Sequence, residues 1–295
     1  VTRVLVTGAS GLLGSRLVAL LAHEFEVVAA RRHTSPPPGV RPVGLDLADP
    51  GGADRALEAA RPQAVVHAAA VADADTCERE PERAQAVNVG GTAVLAEACA
   101  RYGIRLVVVS TDQVFDGNRG RLSELDPARP LMLYGRTKLA AEEEALRRCA
   151  GSAVVRVALL CGLGGGPRGT ASEALAWALE RRERPRLYTD QFRTPVDAEA
   201  VATALRSLLR GTGEGRYHLG GPERVSRHEL GLRVASVLGL DPAGIEAVTQ
   251  ATFSVGAPRP ADVSLDSSRA RRELGFAPRP LDAMIRSGRL SPPPV

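Results

Sequence analysis

The chain has 295 residues, of which 44% are hydrophobic, and a formal net charge of +4. That length supports a substantial core in one large domain or a domain with a smaller companion, and no apolar run approaches the roughly 18 residues of a membrane span. The basic residues are scattered, often beside acids, with almost no aromatic interleaving, which argues against a dedicated nucleic-acid surface. Four cysteines (Cys77, Cys99, Cys149, Cys161) lie far apart without metal-type spacing. They read as buried free thiols of a cytoplasmic protein, and no metal site is expected. The sequence opens directly on a strand, so no signal peptide is expected.

One feature of the composition is sharper. Of 38 basic residues all but Lys138 are arginine, and only two asparagines occur, Asn88 and Asn118. Few amides and many prolines fit a GC-rich source and heat tolerance. Arginine and lysine are not interchangeable, one being a planar fork and the other a compact point charge. A chain that uses arginine everywhere else keeps lysine at one place.

In chain order, Arg3–Thr7 reads as a strand running into TGASGLLG, with a helix from about Leu12 to His23 and a strand at Glu26–Ala30. Glycines at 8, 11 and 14 between a strand and a helix are the pattern of a dinucleotide site. Gly8 permits the tight turn, Gly11 lets the backbone approach a pyrophosphate, and Gly14 lets helix and strand pack closely. The free N–H groups at the helix start face the anion, which assigns Gly8, Ser10, Gly11, Leu12 and Leu13 to a cofactor. The end of the second strand carries Arg31 and Arg32 and no acid. Arginines there suit a 2′-phosphate, so NADP(H) is preferred and NAD(H) stays open.

A proline-rich loop (Ser35–Pro38), a short strand at Arg41–Gly44 and LDLADP follow, with Asp46 and Leu47 placed toward the adenine edge. A helix at Pro50–Ala60 leads to a strand at Ala64–Ala68. Ala68, Ala69 and Ala70 are small enough for a cofactor to lie close. A helix from about Glu80 to Tyr102 carries Asn88 and Thr92. Strands alternating with helices imply a doubly wound parallel sheet, a Rossmann-type α/β fold.

The stretch from Val107 to Lys138 carries the chemistry. A buried strand, Leu106–Ser110, ends at Thr111, and a later helix presents Tyr134 and Lys138 four residues apart, on one face. An unperturbed phenol titrates near pH ~10, and an adjacent ammonium favours the phenolate and lowers that value. Lys138 is expected to do so and to hold a nicotinamide ribose, while Thr111 donates to a substrate carbonyl. Beyond a strand at Ala153–Leu159, the segment Leu160–Gly169 reads as a mobile loop over the cofactor. A helix at Ala171–Arg182 ends in charges (Arg181, Arg182, Arg184) that form a solvated face or meet a diphosphate. A helix at Ala198–Leu209 rejoins the first domain, and Gly211–Gly215 reads as a linker. The division expected is 1–160 with 194–215 for the dinucleotide, and 161–193 with 216–295 as a smaller α/β substrate domain.

The glycine motif, Asn88 with Gly91-Thr92, Thr111, Tyr134 and Lys138 resemble an extended short-chain dehydrogenase/reductase. More narrowly, VVSTDQVFDG, PLMLYGRTKLAAE, TDQFRTPV, GRYHLGG and RPADVSL look like the dTDP-4-dehydrorhamnose reductase family through nearly the whole chain. The resemblance implies NADPH-dependent reduction of a nucleotide-linked 4-keto sugar, with Tyr134 as proton donor and Asn88 at the cofactor. It places Thr111, Gln113 and Tyr134 at the sugar, with Asp112 either there or a local cap or turn residue. Independently of the resemblance, Arg193 and Arg259 are candidate phosphate contacts or structural ion pairs. Two positions depart from the pattern. Gln113 stands where the reductases carry a tyrosine, and Leu159-Leu160-Cys161 where they carry an aromatic. The similar 4,6-dehydratases place an acid–base Asp–Glu pair after the threonine. Here the pair is Asp112–Gln113, and an amide is no base. The regulatory β subunit of methionine adenosyltransferase also looks like these reductases, which leaves an NADP(H)-binding partner protein open as an alternative. A nucleotide-sugar epimerase is another, disfavoured by Arg31 and Arg32. The resembling proteins are often dimers, which makes a homodimer compatible.

Overall fold

The structure is a computed structural model that describes residues 2–32, 39–164, 169–253 and 256–291. The proline-rich segment Ser35–Pro38 lies outside the described residues. Seven parallel strands form one sheet: β1 (Arg3–Thr7), β2 (Glu26–Arg31), β3 (Arg41–Gly44), β4 (Ala64–His67), β5 (Arg105–Thr111), β6 (Ala153–Val157) and, much later in the chain, Gly215–Leu219. In space the order is Gly215–Leu219, β6, β5, β4, β1, β2, β3. The chain therefore builds outward through β2 and β3, then crosses back to β4 on the other side of β1. That reversal opens a crevice at the carboxyl ends of β1 and β4, where Thr7 and His67 are register partners.

Nearly continuous apolar strands such as Leu106–Val108 and Ala153–Val155 are buried on both faces, as a helix-covered parallel sheet requires. Helix α1 (Leu12–Leu21) buries Leu13, Gly14, Leu17, Val18 and Leu21 against one face. Each fully buried leucine stabilises by about 1.5–3 kcal/mol. Helices α2 (Gly52–Ala60), α3 (Ala74–Arg79), α4 (Pro81–Ala84), α5 (Gly91–Arg101) and α6 (Leu133–Arg148) follow. The buried face of α6 is unlike that of α1: it consists of Gly135, Thr137, Lys138, Ala141, Glu142 and Ala145.

Beyond β6 come β7 (Leu160–Cys161), α7 (Ala171–Glu180), β8 (Arg186–Tyr188), β9 (Phe192–Arg193), β10 (Val196–Asp197), α8 (Ala198–Arg210), β11 (Gly215–Leu219), β12 (Val225–Ser226), α9 (Arg227–Leu238), β13 (Glu246–Val248), α10 (Ser268–Leu274) and α11 (Leu281–Arg286). Leu175, Leu187, Leu230, Val234, Leu281, Met284 and Ile285 gather in an apolar cluster separate from the sheet's two.

Four local readings of the sequence change. The helix expected over Glu80–Tyr102 is continuous but contains a π-helical segment, Gln85–Gly90, between α4 and α5, a wide turn of the kind that re-aims a side chain. Helix α3 was not foreseen; Asp73 caps it by accepting from the Thr76 N–H at 2.7 Å. Leu160–Cys161 is a short strand paired with Val196–Asp197 and not the start of a loop, while residues 165–168 of the expected mobile loop lie outside the described residues. Gly215–Leu219 pairs in parallel with Ala153–Val157, so residues 216–219, expected across the domain boundary, are part of the sheet.

Candidate active site

The cofactor end of the site is built from backbone. Gly8 has φ +68°, and the Gly11 N–H donates to the Gly8 carbonyl at 2.9 Å. A Cβ on Gly8 would lie 2.7 Å from the Ala69 nitrogen, and one on Gly14 would run into the Gly8 carbonyl oxygen. Turn, helix and the β4 loop thus touch main chain to main chain. Helix α1 starts at Gly11 with no side-chain cap and no acid in its first turn, leaving its N–H groups and positive dipole to an anion.

Thr7 ties this turn to the loop after β4. Its hydroxyl oxygen accepts from the N–H groups of Ala68 (3.2 Å) and Ala69 (3.1 Å) and meets His67 Nδ1 at 2.8 Å. Burial, and then the charge of Lys138, push His67 down to about 3, so the ring is neutral. The Thr92 hydroxyl donates to the Asn88 carbonyl at 2.6 Å. It must therefore accept from His67 Nε2–H at 3.0 Å, which assigns Thr7 as donor to Nδ1.

At the reactive centre, the 3₁₀ turn Asp112–Val114 follows β5 directly, and α6 leans against it. Gly135 permits this, since a Cβ there would strike the Gln113 carbonyl. Tyr134 therefore lies beside Thr111, whose hydroxyl also accepts from the Gln113 N–H at 3.2 Å. Burial raises the Tyr134 phenol above its usual range; the Asp112 charge adds to this and a Thr111 hydrogen bond opposes it. Burial lowers Lys138 to about 8, with Glu142 pulling the other way. The expectation that Lys138 depresses the phenol is thus corrected. Removal from water dominates both groups and drives each toward its neutral form. Among the described residues the Lys138 ammonium has no hydrogen-bond or ion-pair partner.

The other end of the site is built from long charged side chains. Arg193 and Asp112, both buried, form an ion pair at 3.1 Å, and burial raises Asp112 against the pull of Arg193. Arg259 is tied to Asp75 at 2.9 Å and to Met132 Sδ at 3.3 Å. Arg227 opens α9, where its N–H donates to the Gln191 carbonyl at 2.9 Å. Burial lowers its guanidinium, and among the described residues that guanidinium has no hydrogen-bond or ion-pair partner.

A single cleft of about 890 Å³ joins these parts. Its wall holds Gly8, Ser10, Gly11, Leu12, Leu13, Arg31, Arg32, Asp46, Leu47, Ala68, Ala69, Ala70, Thr111, Asp112, Gln113, Tyr134, Lys138, Arg193 and Arg259. Asn88, expected at the cofactor, is not on it. Its amide is spent on the Val71 N–H (2.8 Å), the Val71 carbonyl (3.1 Å) and Thr137 Oγ1 (3.0 Å), which clamps the β4 loop to α6. Leu159 and Leu160, the positions without the aromatic, do line the cleft, whereas Arg181, Arg182 and Arg184 do not. Arg181 pairs with Glu183 and Arg184 with Glu246. Sequence reasoning missed Ser110, Gln191 and Arg227 on the wall. Arg227 could have been flagged only through its helix start, where Ser226 caps α9 by accepting from the Glu229 N–H at 3.0 Å. Among the described residues the buried Gln113 side-chain oxygen has no hydrogen-bond partner.

The profile of the RmlD substrate binding domain matches residues 2–287. The chain is 32% identical to a probable low-salt glycan biosynthesis reductase of Haloferax volcanii, covering 92% of this chain and 91% of that one. It is 33% identical to the dTDP-4-dehydrorhamnose reductase of Mycobacterium tuberculosis (93% and 87%) and 30% identical to the methionine adenosyltransferase 2 β subunit of Danio rerio (90% and 83%). Among solved structures it resembles a hypothetical dTDP-4-dehydrorhamnose reductase of Sulfolobus tokodaii, with TM-score 0.85, 31% identity and 96% and 100% coverage. It also resembles MoeE5 in complex with UDP-glucose and NAD, with TM-score 0.81, 30% identity and 96% coverage of both chains.

Proposed function

We propose that this chain, which belongs to the RmlD substrate binding domain family, is a nicotinamide-dependent reductase of a nucleotide-linked 4-keto sugar, with dTDP-4-dehydrorhamnose as substrate and NADPH preferred over NADH. The observation that carries the reading is that Thr111, Tyr134 and Lys138 share one cleft with the glycine turn and the uncapped start of α1. The close main-chain packing at Gly8 and Gly14 fits a dinucleotide pyrophosphate, Arg31 and Arg32 suit a 2′-phosphate, and Lys138 on the same cleft wall suits a ribose.

Held by the glycine turn, Arg31, Arg32 and Lys138, a nicotinamide cofactor would supply the hydride for C4 of the sugar. Thr111 orients the keto oxygen by donating to it. Tyr134 donates its phenolic proton to that oxygen as it gains charge, and a phenol raised by burial is held in the protonated form this direction needs. Gln113 offers no carboxylate for dehydration. Residues 1–160 and 194–219 would serve the cofactor and the rest the substrate. Four buried free thiols fit a reducing compartment, the cytoplasm, and a homodimer is part of the same reading.

The test is NADPH oxidation with freshly generated dTDP-4-dehydrorhamnose. Tyr134→Phe should lower turnover by about 10³-fold or more and leave the NADPH dissociation constant within twofold; a mutant as active as the wild type rejects the mechanism. Departures at Gln113, Leu159 and Leu160 on the cleft wall, together with the adenosyltransferase relatives, support a second reading as an NADP(H)-binding regulatory subunit. Tight NADPH binding without oxidation, and altered kinetics of an added methionine adenosyltransferase, would favour it.

A further inference from the structure

Helix α6 carries a third ionisable group in line with Tyr134 and Lys138. Glu142 is one further turn along, on the same face, and its exposure is 0% beside 3% for Lys138. Four donor atoms on three other elements fix the Glu142 carboxylate, Arg156 Nε being shared between its two oxygens. Its Oε1 accepts from Ser110 Oγ at 2.6 Å and Arg156 Nε at 3.0 Å; its Oε2 accepts from Arg156 Nη2 at 2.7 Å and Arg216 Nε at 3.1 Å. Arg156 is held in turn, its guanidinium 5.1 Å from the Phe115 ring centroid and 3.4 Å from His218 Nε2. Ser110 lines the cleft next to Thr111, so this carboxylate connects through one hydroxyl to the reactive centre.

A buried ion pair of this kind is weak evidence for stability, because well-packed apolar side chains usually do as well. What apolar residues could not supply is a negative charge beside Lys138, which lies buried with no other partner among the described residues. The groups that bear on Lys138 are Glu142 one turn on, Tyr134 one turn back and His67, neutral, from β4. Arg156 from β6 and Arg216 from β11 act on it through Glu142, and Asp112 bears on Tyr134. We propose that Glu142 is a positioning residue of the site, a fixed countercharge that keeps Lys138 an ammonium facing the cleft, with Arg156, Arg216 and Ser110 setting how much of that charge Lys138 experiences. The assignment rests on Tyr134 and Lys138 being the reactive pair.

The composition provides a direct test. With one lysine in the chain, biosynthetic labelling with [¹³C]lysine gives a single side-chain signal, and its titration in the intact protein needs neither substrate nor cofactor. Glu142→Gln should lower the titration midpoint by about one unit, and Arg216→Gln, which leaves more of the Glu142 charge uncompensated, should raise it by about half a unit. A structural role alone would not produce opposite signs. Arg216 is partly exposed, with 32% of its side chain accessible, so its variant remains informative if Glu142→Gln fails to fold. A midpoint unmoved or lowered in Arg216→Gln, or moved the same way in both, overturns the proposal. Reductase activity, where found, should show its ionisation limb moving with the midpoint, and a fixed limb overturns the proposal as well. A moving midpoint in a protein that reduces no keto-sugar rejects the reductase reading and leaves the Glu142–Lys138 coupling established.

Discussion

The two ends of the cleft are built from different materials. At the glycine end the wall is main chain, the Gly8 turn, the α1 N-terminus and three alanines, with contacts at Gly8 and Gly14 so close that a Cβ cannot be added at either. At the substrate end the wall is Asp112, Gln113, Arg193, Arg227 and Arg259, whose neighbours decide whether each is free to meet a ligand. The first end offers the backbone shape that a dinucleotide would need. The second offers charge, and small changes of partner there would alter what it can bind.

The largest effect should come from breaking the backbone end. Gly14→Val drives side-chain atoms into the Gly8 carbonyl, and overpacking of this kind costs about 1–3 kcal/mol, concentrated where the pyrophosphate would lie. NADPH affinity should fall by up to about 100-fold, measured by fluorescence titration, and binding within threefold of wild type would mean that this turn is not the cofactor cradle. At the other end, Arg227→Gln removes the one guanidinium of the three that has no partner among the described residues. Charge-assisted hydrogen bonds of about 1.5–3 kcal/mol predict about 10- to 100-fold weaker calorimetric binding of dTDP, with NADPH affinity unchanged. Arg259→Gln, already engaged by Asp75, should lose less. The reverse order would show that Arg259 leaves Asp75 to take the phosphate.

The same contrast explains what could be read from sequence. The glycine turn was legible because only glycine tolerates φ +68° and main-chain contact together, and the residue type therefore states the geometry. Tyr134 and Lys138 were legible because one helical turn fixes their relation, although burial reversed the expected influence of one on the other. That Asn88 lies off the cleft wall was not legible, because the π segment that carries it, its amide on Val71 and Thr137, has no sequence signature. Arg227 was invisible among 37 arginines: its partnerless state depends on Arg193 having taken Asp112, a tertiary fact. Strand Gly215–Leu219 was hidden by its distance in sequence from Ala153–Val157, although its five-residue register is regular.

A smaller effect should separate the two cofactors. Arg31 and Arg32 are exposed on the cleft wall, so a contact to a 2′-phosphate is screened by solvent. Arg31→Ser with Arg32→Ser should reduce the NADPH-over-NADH preference about tenfold, measured as the ratio of dissociation constants. An unchanged ratio would make the pair a solvated surface and place cofactor choice elsewhere.

The smallest effect per pH unit belongs to two histidines, one under each end. His67 supports the cofactor loop, and His218 packs on Phe115 beside Arg156, the Glu142 clamp. Burial lowers His67 to about 3 and His218 to about 4, against an ordinary 6.5. Below pH 6.5 the unfolded chain takes up these protons while the folded protein does not. Stability present above 6.5 is therefore lost as the pH falls, down to the folded values. Each histidine contributes about 1.4 kcal/mol per pH unit at most, and the window from 6.5 to about 5 lies above the ordinary carboxylate range. Urea midpoints across that window should therefore fall steadily, and His67→Gln should remove about half of the slope. A wild-type slope no steeper than one histidine's would mean that one end of the cleft admits water to its histidine. Comparison with the variant would show which, since the slope vanishes in His67→Gln only if the His218 end is the wet one.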